Sequence, residues 1–215
     1  MLNEKAKIAN LHYLYADLPE EKAHKKASRR LSKLGYELDE RNTDKDVLTA
    51  KRGNNIHINY TGTNIRNPRD IISDVALGVG IQRINPQFKE RRRTTRDIMR
   101  QYGDDKDYTM SGHSLGGSIA LNTVSQSKSI RDRVKKVDVF NPGYTKSFNE
   151  SIKVDKPVKR QLDKKVTVHR VKGDIVSAHA NKETAFGAVA EYKHADNNSD
   201  LSDKHALDTF INSDL

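Results

Sequence analysis

The chain has 215 residues, of which 34% are apolar, and its 39 Lys and Arg outnumber 29 Asp and Glu to give a formal net charge of +10. That length fits one domain, or two small ones, and is enough to close a core. With no cysteine, disulfides, thiolate metal sites and a cysteine nucleophile are excluded. No apolar run approaches the roughly 18 residues of a spanning helix. The start, Met1-Leu2-Asn3-Glu4-Lys5, carries no signal-peptide apolar region. A cytoplasmic or virion-associated protein is therefore expected over a Sec-secreted one.

In chain order, Ile8, Leu11 and Leu14 predict a helix over 4–16. Pro19 and Gly35 bracket a second helix with a thin apolar stripe of Ala23, Ala27, Leu31 and Leu34. The rest of that helix is basic, so residues 1–44 read as a basic helical arm ahead of a domain at 45–215. Residues 46–60 read as a hairpin turning at Arg52-Gly53-Asn54, with Ile56, Ile58 and Tyr60 alternating with polar residues. Within 64–106, Ile71 to Leu77 suggest a short helix. A loop with Pro86 is expected next, then a basic helix placing Arg92, Arg96 and Arg100 on one side. From residue 107 strands and helices alternate: a strand at 108–110, a helix at 115–124, strands at 137–140 and 166–171, and a last helix from about Ser202 carrying Phe210. Alternation of this kind predicts an α/β fold with a mainly parallel central sheet flanked by helices.

Gly112-His113-Ser114-Leu115-Gly116 fits G-x-S-x-G between a strand and a helix. That setting is what a nucleophile elbow requires. A serine on a sharp turn has a strained backbone, and Gly112 and Gly116 remove side chains that would clash. The helix N-terminus behind Ser114 offers free N–H groups and a positive dipole end to a developing oxyanion. Such a serine needs a base, and the base an orienting acid. In this type of site the order is Ser, acid, His. Asp174 directly follows the strand 166–171, whereas Asp138 lies inside a strand and Asp155 follows no clear one. Of the four later histidines, His169 precedes Asp174 and His179 shares its loop. His205, at the start of the last helix, is favoured as base, with His194 the alternative. One oxyanion donor would be the Leu115 N–H. The other is expected from Thr61-Gly62-Thr63, with Thr63 offering N–H and hydroxyl.

Together these segments resemble the class 3, fungal-lipase-like branch of the α/β hydrolases. The resemblance covers about residues 45–213. It rests on Gly62-Thr63, Asp70 and Asp74, Gly112 to Gly117, Val139-Phe140-Asn141-Pro142-Gly143, Val171 to Val176, and His205-Ala206-Leu207-Asp208. It implies an α/β-hydrolase fold with Ser114 as nucleophile, Asp174 as acid, His205 as base and Thr63 with Leu115 as the oxyanion hole. It also implies hydrolysis of carboxylic esters, often acylglycerols or phospholipids, with no metal or cofactor. Thr61 stands where the family often has Arg, and the chain is short for the family. In lipases the region matching 64–100 commonly forms a lid.

The expected function is therefore that of a lipase- or phospholipase-like serine ester hydrolase. Arg92, Arg96 and Arg100 are candidate contacts for anionic headgroups, or else an ordinary solvated face. An anionic membrane surface is a candidate partner, and the sequence leaves oligomeric state open. The alternative is a catalytically inactive hydrolase fold serving as a basic module for nucleic acid or membrane. Against nucleic acid stand the lack of a recognised binding motif and of aromatics within the basic helices.

Overall fold

A computed structural model describes residues 2–62, 81–144, 146–174, 176, 177, 185–193 and 207–211. Three helices come first: α1 (Leu2–Asn10), α2 (Tyr13–Asp17) and α3 (Glu20–Ser32). The single helix expected over 4–16 is split. Leu11 N donates to Ile8 O and Leu14 N to Leu11 O, three residues back. The His12 ring is bonded through Nδ1 to the Ala9 carbonyl at 2.5 Å. These tight turns replace the four-residue spacing that would carry α1 through. Gly35, at φ +75°, sits just past α3, where a left-handed residue stops the chain.

The strands β1 (Glu37–Leu38), β2 (Val47–Arg52) and β3 (Asn55–Tyr60) form an antiparallel run. Its hairpin register runs from Val47 opposite Tyr60 to Arg52 opposite Asn55. The two-residue turn has Gly53 at φ +57°, the positive angle that hairpin twist favours. Next come α4 (Ile81–Tyr102), β4 (Asp107–His113), α5 (Leu115–Gln126), α6 (Lys128–Arg133) and β5 (Val134–Phe140). The remainder is α7 (Lys146–Ser151), α8 (Lys156–Asp163), β6 (Val166–Val171), β7 (Ala188–Tyr192) and α9 (Asp208–Ile211). Pro86 lies inside α4 rather than in the expected loop. Its ring is exposed, and the burial of Phe88, Thr95, Ile98 and Met99 further along outweighs one missing backbone donor.

Among the described residues, seven strands lie side by side in chain order, with β3 to β7 parallel. Parallel crossovers are right-handed, so adding each strand on the same side sends each crossover helix to the same face. The main core accordingly joins Ile56, Ile58, Met110, Val137, Val139 and Val168 of the sheet to Ile98 and Met99 of α4, Ile119 and Val124 of α5, and Leu162 of α8. A parallel sheet needs both faces buried. The second face is covered by α1 and α9: Ala6, Ala9, Phe210 and, just before α9, Leu207 pack with Phe140 and Val171. Residues 2–44 thus include one helix on the sheet itself and another, α3, along its β1 edge.

The second face is largely polar. His57 is buried, with Nδ1 2.8 Å from Thr109 Oγ1 and Nε2 2.8 Å from Ser111 Oγ. Ser111 donates onward to Asn59 Oδ1 at 2.7 Å. Lys5 Nζ donates to Tyr36 Oη at 2.9 Å and faces His57 Nδ1 at 3.4 Å. An ammonium facing Nδ1 selects the neutral Nε2–H tautomer. Burial, then the charges of Lys5 and Arg52, hold the His57 pKa well below its ordinary value.

Burial likewise lowers His12 to about 4. Between that value and the ordinary one near 6.5, the unfolded chain binds a proton the folded chain refuses. Stability should therefore fall as pH drops through this window, by about 3 kcal/mol from His12 alone. Urea unfolding of His12→Asn at pH 7 and pH 4 should show a loss smaller by about that amount than in the wild type; equal losses would count against it.

Candidate active site

β4 lies inside the sheet and ends at His113. Ser114 follows at φ +54°, ψ −125°, and α5 begins at Leu115. A non-glycine residue in this region costs about 1–3 kcal/mol and persists only where its surroundings hold it. Here Ser114 N donates to Phe140 O at 3.0 Å, and Ser118 N donates to Ser114 O at 3.1 Å. His113 is anchored on the sheet's second face, its Nδ1 2.6 Å from Tyr13 Oη.

The two elbow glycines are required by space. A Cβ on Gly112 would lie 2.4 Å from the Gly116 carbonyl carbon and oxygen, and one on Gly116 would lie 2.2 Å from the Tyr60 carbonyl oxygen. The start of α5 therefore presses against the end of β3. Gly62 follows two residues later, and a Cβ there would meet His113 O at 3.4 Å and the Leu115 and Gly116 nitrogens at 3.7 and 3.5 Å. The Thr61-Gly62 segment thus passes the Leu115 N–H closely, and Thr61 N is tied to Asp46 O at 3.0 Å. Thr63 lies outside the described residues.

Asp174 follows β6, two strands from β4 at the same end of the sheet. It is buried, and Gly173 at φ +88° turns the chain into it. Its carboxylate accepts from Ser177 Oγ at 2.5 Å, Ser177 N at 3.0 Å and Val176 N at 3.3 Å. Asn141, at φ +40°, accepts from Val171 N through Oδ1 at 2.9 Å and ties the ends of β5 and β6 together. His205, His194 and His179 fall outside the described residues. His169 sits within β6, with Nε2 3.0 Å from Asp138 Oδ1 and Nδ1 3.1 Å from Tyr192 Oη. Among the described residues no cluster of three or more His, Asp or Glu side chains could hold a metal ion. Nor is any described helix long and apolar enough to cross a membrane.

All three arginines singled out from the sequence are on α4. Arg92 is partly buried and donates to Asn122 Oδ1 of α5, while Arg96 and Arg100 are exposed and Arg100 pairs with Asp97 at 3.0 Å. Residues 64–80 of the expected lid lie outside the described set. Tyr13 and Ser177 were not found from the sequence: Tyr13 acts through a partner 100 residues away, and Ser177, three residues from Asp174, reads as an ordinary loop serine.

A mainly parallel sheet flanked by helices, with a strained serine between strand and helix, defines a lipase-like α/β-hydrolase fold. Among solved structures, the chain is similar to a lipase from Rhizopus microsporus var. chinensis, with a TM-score of 0.50 and 15% identity over 88% of this chain and 72% of that one. At that identity the likeness shows the fold. No protein-family model and no curated protein matches the sequence.

The glycine contacts rank two substitutions. Gly116→Ala drives a methyl into a backbone carbonyl and should cost about 3 kcal/mol or more. Gly117→Ala meets Pro142 Cβ at 3.1 Å and Gly112 O at 3.2 Å, so a small shift relieves it and about 1 kcal/mol is expected. Urea midpoints of the two variants check the order, and equal costs would contradict it.

Proposed function

We propose that the protein is a serine carboxylic-ester hydrolase acting on lipid esters, of lipase or phospholipase type. The observation that carries this reading is the backbone of Ser114, held at φ +54° between β4 and α5 with the Leu115 N–H beside it. Backbone strain at a strand-to-helix serine has a ready use in presenting the hydroxyl to substrate. The similarity of the fold to that of a lipase supports the same class.

In this mechanism Ser114 Oγ attacks the ester carbonyl as His205 Nε2 takes its proton. The oxyanion accepts hydrogen bonds from the Leu115 N–H, at the N-terminus of α5, and from Thr63. Protonated His205 returns the proton to the leaving alcohol. Water, deprotonated by the same ring, then releases the acid from Ser114. Asp174 accepts from the His205 Nδ1–H, fixing the tautomer and balancing the imidazolium. The Ser177 and Val176 donors already hold that carboxylate in place. Arg96 and Arg100, exposed on α4, and Arg92 beside them would meet an anionic headgroup, which favours phospholipid over neutral fat as substrate.

Treatment with a fluorophosphonate, read by intact mass, should give a one-to-one adduct on the wild type and none on Ser114→Ala. An unlabelled folded wild type, with lipid vesicles present, would remove the proposal.

The base is assigned by a second comparison. His205→Ala should lower ester turnover by about 10⁴-fold or more, while His194→Ala leaves it within a few-fold. The reverse pattern in steady-state rates would transfer the role to His194.

A further inference from the structure

We infer that the outward face of α3 docks the protein on an anionic lipid bilayer. The helix buries only a narrow stripe, Ala23, Ala27 and Leu31, against Leu38, Leu48 and Ala50. Small residues let it lie close to the sheet edge and leave the rest of its circumference in solvent. That circumference carries Lys22, Lys25, Lys26, Arg29, Arg30 and, just past the helix, Lys33, all exposed. At 100° per residue these six fall within an arc of roughly 140° along a helix of roughly 20 Å. The acidic residues of α3, Glu20 and Glu21, are confined to its first turn.

Pairing partly neutralises the other basic tract, on α4, where Lys89, Arg93 and Arg96 are exposed but three further arginines are engaged. On α4, Arg91 pairs with Asp46 at 2.8 Å, Arg92 donates to Asn122 and Arg100 pairs with Asp97. Nearer α3, Lys51 pairs with Glu37 and Arg52 with Glu4. The six cations of α3 make no ion pair or hydrogen bond with any described residue. Six like charges on one short face repel one another and are best relieved by an external polyanion.

The face suits a flat bilayer. It is one continuous helical face, and the only aromatic ring on α3, the half-buried His24, turns inward to Tyr15, so no exposed ring is available to stack on bases. It exposes no large apolar side chain either, so docking is electrostatic rather than insertive. The choice of lipid over nucleic acid rests on the ester-hydrolase reading above. The existence of the docking face does not.

The test uses full-length Ser114→Ala protein, so that turnover cannot alter the vesicles. Co-flotation with phosphatidylserine–phosphatidylcholine vesicles is compared with pure phosphatidylcholine vesicles across a salt series. Each basic residue at an anionic leaflet contributes roughly fivefold to partitioning. A Lys25→Gln, Lys26→Gln, Arg29→Gln, Arg30→Gln variant should therefore lose nearly three orders of magnitude in binding. A charge-matched control, Lys153→Gln, Lys156→Gln, Lys164→Gln, Lys172→Gln, should lose tenfold or less. Equal losses in both variants, or equal binding to neutral vesicles, would overturn the proposal. So would tighter binding of the α3 face to duplex DNA than to the anionic vesicles at the same salt. Fluorophosphonate labelling of the wild type is scored separately, so a chain that docks but does not label would sink the hydrolase reading alone.

Discussion

The carbonyl oxygen of Tyr60 occupies the place where a side chain on residue 116 would begin. Much of the candidate site depends on that contact. It brings the first turn of α5 against the end of β3, which leads the Thr61-Gly62 segment past the Leu115 N–H. It also fixes where the strand-to-helix turn must occur, and so forces Ser114 into its positive-φ conformation. Without glycine at 112 and 116 the helix would stand off the sheet. The Thr61-Gly62 segment would then no longer pass close to the Leu115 N–H.

The order of the strands imposes a second constraint. Because right-handed crossovers send α4, α5 and α8 to one face, the other face has to find its cover elsewhere. α1 supplies it, and does so over a polar surface of His57, Asn59, Thr109, Ser111 and Asp138. Buried polar groups are tolerable only when bonded to one another, and the chain from Lys5 through His57 and Ser111 to Asn59 meets most of that need. The helix that follows it, α2, reaches the elbow through Tyr13 and His113. The cover is thus part of the support beneath the serine.

Much of this was legible in the sequence, for identifiable reasons. The hairpin, β4, α5 and β6 each carry a strong local signal: alternation, a turn glycine, or the elbow pattern. The position of Asp174 followed from a strand directly before it. What was not legible depends on contacts distant in the chain. The break between α1 and α2 comes from tight turns and the His12 ring, against an unbroken apolar spacing. β1 has two residues, and β7 has little burial to impose a pattern. Pro86 reads locally as a loop, and only the buried half of α4 overrides it. Nothing in the spacing of Tyr13 and His113, 100 residues apart, could have announced their bond.

Strands laid down in chain order also carry a temporal consequence. A growing chain can add β3, β4, β5 and β6 one beside the next, and each pairing closes a loop only as long as one crossover. Sheet assembly can then keep pace with synthesis. α1 is the exception. Its partners include Phe140, Val171 and the α9 turn, and Asn3 Nδ2 donates to Ile211 O at 2.6 Å. A helix made well before these partners is thus among the last to find all its neighbours. Until then the polar face of the sheet is open to water, which its own hydrogen-bonding groups make a tolerable solvent for the wait.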